Sequence, residues 1–150
     1  MPTMTQRMYF EGLTLTVENI DCAIEFYCGK LGFKVEYNAS PDFALIRAGG
    51  EGGGTIGLLA LHQSLKEGVE VSSERQKRAI HVELSTENLD ALYEELLANG
   101  VQFDQPPHDE PWERSMTAFD PDGYAVEFAQ GRRGHNATQA DKTEAVIELE

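Results

Sequence analysis

Trp112 and Arg114, in the run Pro111-Trp112-Glu113-Arg114 ahead of a strand, are side chains whose types could bind a ligand. An indole can stack on a flat ligand and a guanidinium can clamp a carboxylate with two parallel hydrogen bonds. Covering a cavity mouth or a subunit contact would account for Trp112 equally well. Arg47 and Tyr27 are candidates to face a cavity in the first half of the chain, although core packing alone explains Tyr27. His108 falls in Pro106-Pro107-His108-Asp109 and reads as a solvated loop residue. The familiar short motifs are missing: there is no nucleophile elbow, phosphate loop, Cys-x-x-Cys pair or His-Glu-x-x-His helix. The glycine-rich stretch from Gly49 to Gly54 lacks a following Lys-Ser/Thr and reads as a hairpin turn, so phosphate chemistry has no support.

The elements that must position these residues come from an internal duplication. Leu13-Thr14-Leu15-Thr16-Val17-Glu18-Asn19-Ile20-Asp21 matches Val82-Glu83-Leu84-Ser85-Thr86-Glu87-Asn88-Leu89-Asp90 at a constant offset of 69 residues, the mark of a repeated structural unit. Each copy is an alternating run, a strand, followed by a capped helix. Ile20, Ala23, Ile24, Tyr27 and Leu31 line one helix face, and Leu89, Leu92, Tyr93, Leu96 and Leu97 line the other. Gly32 and Gly100 end the helices where a left-handed backbone suits glycine. Strand-like runs follow at Lys34 to Tyr37, Phe43 to Ala48 and Thr55 to Leu61, then at Gln102 to Asp104, Arg114 to Phe119 and Tyr124 to Ala129. The expected fold is therefore α+β, two tandem βαβββ modules at about 8–62 and 78–130. They form one domain over 1–130, with polar Gln63 to Lys77 as linker and a polar, mobile tail over 131–150.

Composition narrows the partners. Twenty-six acidic against twelve basic residues give a net charge of −14, which repels nucleic acid and anionic lipid. The longest apolar run, Ile56 to Leu61, is far short of a bilayer span, and Met1 to Phe10 lacks the apolar core of a secretory signal. Cys22 and Cys28 lie too far apart along one helix to bridge locally and read as free thiols. The expectation is a soluble cytoplasmic protein.

The stretch Leu15 to Phe33, with Val17-Glu18-Asn19 leading into Ala23-Ile24-Glu25-Phe26-Tyr27 and Leu31-Gly32-Phe33, resembles the opening module of the vicinal oxygen chelate superfamily of glyoxalases, bleomycin-resistance proteins and extradiol dioxygenases. His81-Val82-Glu83-Leu84 and Asp120-Pro121-Asp122-Gly123-Tyr124-Ala125-Val126-Glu127 resemble its second module. The resemblance implies curved mixed sheets that enclose a cup-like cavity, a small-molecule ligand, a homodimer, and in many members a divalent ion such as Zn, Ni, Fe or Mn.

By that pattern His81 and Glu127 fall on metal-ligand positions, with Glu127 the proton shuttle if the chain is an enzyme. The first module departs from it. Gly12 stands where the first-strand ligand is expected, Glu11 beside it points to the other face, and the counterpart of Glu127 lies among Gly57, Leu58 and Leu59. His62 at the strand end reads as a surface histidine. An incomplete metal site favours a small-molecule binder. The competing expectation is a metal-dependent lyase, isomerase or dioxygenase, and a purely structural partner protein stands behind both.

Overall fold

The computed structural model describes residues 7–49, 53–66 and 74–130. The chain divides into two compact units, Met1–Val71 and Ser72–Glu150. The first holds β1 (Gly12–Val17), α1 (Ile20–Ile24), a π-helical turn over Glu25–Lys30, β2 (Lys34–Ala39), β3 (Phe43–Arg47), β4 (Thr55–Ala60) and α2 (Leu61–Lys66). The second holds α3 (Glu74–Arg78), β5 (His81–Ser85), α4 (Leu89–Ala98), β6 (Phe103–Asp109), β7 (Arg114–Phe119) and β8 (Ala125–Gln130). The sheets run β1-β4-β3-β2 and β5-β8-β7-β6, each open, with the first strand parallel to the last and the remaining pairs antiparallel. The duplication is thus real in topology as well as in sequence.

Alternation sorts each sheet into two faces. In the first unit Leu15, Val17, Ala44, Ile46, Ile56, Leu58 and Ala60 are buried on the face that meets Ile20, Ala23, Phe26 and Tyr27 of the helix. In the second, Val82, Met116, Ala118, Val126 and Phe128 are buried on the face covered by Leu89 and Leu96 of α4, and Phe103 bridges the Tyr93 and Phe128 rings at 5.1 and 5.9 Å. Each fully buried Leu contributes about 1.5–3 kcal/mol. The chemistry-bearing side chains stand on the opposite face of the second sheet.

The helix ends follow the sequence closely. Asn19 Oδ1 accepts the Cys22 N–H at 2.9 Å and Asn88 Oδ1 accepts the Ala91 N–H at 3.1 Å, while Gly32 and Gly100 take φ of 83° and 88°. Asn88→Ala is expected to lower stability by about 1 kcal/mol, read as a shifted urea midpoint; an unshifted midpoint would show that the cap contributes nothing.

Three expectations need correction. The first helix is α-helical only through Ile24 and then widens, with the Leu31 N–H donating to the Phe26 carbonyl. Gln63 to Lys77 is not plain linker, since α2 and α3 reach into it. Pro106-Pro107-His108-Asp109 is strand and not loop: β6 lies at the sheet edge, where prolines lacking an N–H cost no ladder bond, and its register shifts on either side of Gln105. The 131–150 tail and the middle of the glycine turn lie outside the described residues. Among the described residues no helix is long and apolar enough to cross a membrane.

Candidate metal centre

His81 opens β5, and β5 lies parallel to β8 with His81 opposite Ala125 and Glu83 opposite Glu127. Residues paired in register share a face, and so do residues two apart on one strand. His81, Glu83 and Glu127 therefore project from the same face, the one turned away from α4. One donor atom from each lies within 4.8 Å of the others, the one such group among the described residues. His81 Nδ1 stands 3.7 Å from Glu127 Oε2. The Glu127 side chain is 19% exposed and that of His81 47%, so the carboxylate sits deeper and the imidazole is nearer solvent.

Glu83 is the residue that the sequence reading passed over. Its signal was available, because the alternation that aims His81 at this face aims Glu83 there too. The resemblance, which implies one ligand from the first strand and one from the last strand of a module, drew attention past it.

The first unit shows what replaces the centre. Its β1–β4 register pairs Gly12 with Thr55 and Thr14 with Gly57, so Gly57, rather than Leu58 or Leu59, is the counterpart of Glu127, and Thr14 that of Glu83. Gly12 lacks a side chain for a structural reason: a Cβ there would lie 1.9 Å from the Thr55 carbonyl oxygen. Glu11 gives its backbone carbonyl to the Thr55 N–H and hydroxyl, and its carboxylate acts on Arg47.

The other sequence candidates stand elsewhere. Tyr27 is fully buried, its ring 5.1 Å from Phe26 and 5.6 Å from Phe33, and belongs to the core. Arg47 is held by Glu36 and by the Gly53 carbonyl at 2.7 Å, and its guanidinium holds the Glu36 carboxyl pKa below the ordinary range. Arg114 donates to both oxygens of Asp90, at 2.9 and 3.2 Å, and to Asp109 at 3.1 Å. Its fork is thus occupied by the protein's own carboxylates, and the Arg114 guanidinium holds the Asp90 pKa below the usual carboxylate range. Trp112 is exposed at the turn between β6 and β7, its Nε1–H donating to Glu113 at 3.2 Å. His108 Nδ1–H donates to the Pro106 carbonyl at 2.9 Å, and this bond, with Glu110 at 3.2 Å, raises its pKa. His62 bonds Asp42 at 2.7 Å.

One imidazole and two carboxylates form a hard-to-borderline donor set suited to Zn, Ni, Fe or Mn. Three protein donors on one sheet face leave further coordination positions for water or ligand, the pattern of an open rather than a closed metal site. The residues fit a divalent ion.

Residues 10–128 match the family model of the Glyoxalase/Bleomycin resistance protein/Dioxygenase superfamily. The chain belongs to that superfamily. Among solved structures it is similar to a glyoxalase/bleomycin resistance protein/dioxygenase from Nocardioides, with 25% identity and a TM-score of 0.70 over 91% of this chain and 92% of that one. A domain of the same description from Frankia is 26% identical, with a TM-score of 0.63 over 85% and 95%. A superfamily member from Sphaerobacter thermophilus, 24% identical with a TM-score of 0.64 over 82% and 98%, supports the fold alone. No curated protein matches the chain by sequence.

Proposed function

We propose that this protein binds one divalent metal ion through His81, Glu83 and Glu127 and holds a small oxygen-bearing molecule at that ion. The observation that carries the reading is the convergence of three donor atoms within 4.8 Å on one face of a single sheet. Two of them, Glu83 and Glu127, are register partners on hydrogen-bonded strands, so the sheet itself fixes their spacing. A bound ion would polarise the oxygens of its ligand as a Lewis acid. Glu127, the more shielded carboxylate and the neighbour of His81 Nδ1, is the group placed to take or return a proton at its Oε2.

A second reading, a metal-free small-molecule binder, is favoured by the first module, where Gly12, Thr14 and Gly57 supply no ligating group at the corresponding positions. Metal titration with elemental analysis separates the two. The expected result is near-stoichiometric Zn, Ni, Fe(II) or Mn on the wild type and none on the His81→Ala, Glu127→Ala double variant. Equal uptake by both, or none by the wild type after loading with each ion, would sink the metal reading and leave the binder.

A further inference from the structure

The face that carries His81, Glu83 and Glu127 continues across β8 onto β7. There Thr117 pairs with Glu127 and Phe119 with Ala125, which in turn pairs with His81. Phe119 therefore stands on the same face. With strands about 4.8 Å apart and about 3.3 Å of rise per residue, its backbone lies roughly 8 Å from that of Glu127. Over the Phe119 ring, 5.3 Å from its centroid, sits the guanidinium of Arg78, from the short helix just before β5.

That helix is anchored next door. Lys77 is largely buried with its ammonium 5.9 Å from the centroid of the buried Tyr124 ring, so consecutive residues grip two aromatic side chains at this end of the sheet. Arg78 is exposed, and among the described residues it makes no ion pair. Arg47 and Arg114, by contrast, have their guanidinium groups taken by Glu36, Asp90 and Asp109. A guanidinium held over an aromatic face by the cation–π attraction keeps its N–H groups available to an anion.

Two carboxylates would neutralise a divalent ion and a neutral imidazole would add nothing, so a guanidinium on the same sheet face would leave the loaded site a positive charge with which to choose an anionic ligand.

We propose that Arg78 is the anion-recognising residue of this site, and that the ligand carries a carboxylate or similar anionic group a few bonds from the oxygens that face the metal. The proposal rests on the metal reading above. A fitting probe is protocatechuate, a benzoate whose two adjacent ring hydroxyls lie across the ring from its carboxylate; its carboxamide keeps the shape and the oxygens without the charge.

The test is calorimetric titration of both probes into Zn-loaded wild type, Arg78→Met and Arg78→Lys, with Zn affinity and melting temperature measured for each protein. Wild type is expected to bind protocatechuate at least about tenfold more tightly than the carboxamide, the scale of one charge-assisted hydrogen-bonded contact. In Arg78→Met the preference falls to within about twofold with Zn affinity unchanged, and in Arg78→Lys, which keeps the charge but not the guanidinium, it lies between wild type and Arg78→Met. A wild type indifferent to the charge, or an Arg78→Met protein that keeps the preference, overturns this proposal alone. Failure of the wild type to take up Zn overturns the metal reading beneath it, and the Zn titration records that separately.

Discussion

Gly12→His, which writes the superfamily's first-strand ligand back into the first module, is expected to destabilise that module and to add no metal binding. A Cβ at Gly12 would lie 1.9 Å from the Thr55 carbonyl oxygen and 2.8 Å from both the Thr55 carbonyl carbon and Oγ1. The first two obstacles are backbone of the paired strand β4, and Thr55 is itself tied to Glu11 by its N–H and its hydroxyl. Relief requires β1 and β4 to part where their pairing begins, at a cost of about 3 kcal/mol or more. Gly57 is the natural control. A Cβ there meets Thr14 Oγ1 at 2.7 Å and Phe43 Cε1 at 3.3 Å, side-chain atoms that can turn aside, so Gly57→Ala is expected to cost about 1 kcal/mol. Urea denaturation of the two variants reads the difference. A Gly12→His protein as stable as Gly57→Ala would show that the strands yield freely and that the missing ligand has no steric cause.

The contrast between Gly12 and His81 also marks how far the sequence carries. The duplicated offset places Gly12 opposite His81, and the two sheets agree, because alternation and helix caps are local signals that survive divergence. Strand β7 was legible to the residue, bounded by a loop on one side and the Asp120 turn on the other, whose carboxylate accepts the Asp122 and Tyr124 N–H groups. What was not legible depends on partners distant in sequence. The counterpart of Glu127 was left among three residues because the length of the glycine turn does not reveal β-register; only the pairing of Thr14 with Gly57 settles it. The steric reason for Gly12 lies forty-odd positions away in Thr55, and the seat of Arg78 over Phe119 joins a helix before β5 to the end of β7. Prolines in β6 concealed an edge strand, since composition marks them as breakers while an edge position tolerates them. Arg114 looked like a free clamp because neither Asp90 nor Asp109 announces itself as its partner in the sequence.

Glu83→Gln is expected to move binding and stability in opposite directions. Glu83 and Glu127 face one another in register on neighbouring strands, and like charges so placed repel, by about 0.2–1 kcal/mol in ordinary sheets. Neutralising Glu83 should therefore leave the metal-free protein as stable as the wild type or a few tenths of a kcal/mol more so. The same change removes a charged donor from a three-donor group. Loss of an outer partner to a metal ligand already costs about 10–100-fold in affinity, so loss of a direct donor is expected to cost at least about a hundredfold. At a free ion concentration a hundred times the wild-type Kd, bound metal adds about 2.7 kcal/mol to folding stability, and the variant should forfeit nearly all of it. Denaturation of wild type, Glu83→Gln and Glu127→Gln, each with and without Ni or Zn, reads both quantities together. If Glu83→Gln keeps the wild-type metal-induced gain while Glu127→Gln loses it, Glu83 is no ligand, and the donors completing the site would have to come from outside this sheet. If both lose it while the metal-free Glu83→Gln protein stays at least as stable as wild type, the repulsion between the paired carboxylates is the cost of a centre assembled within one module, the half of the duplication that kept its side chains.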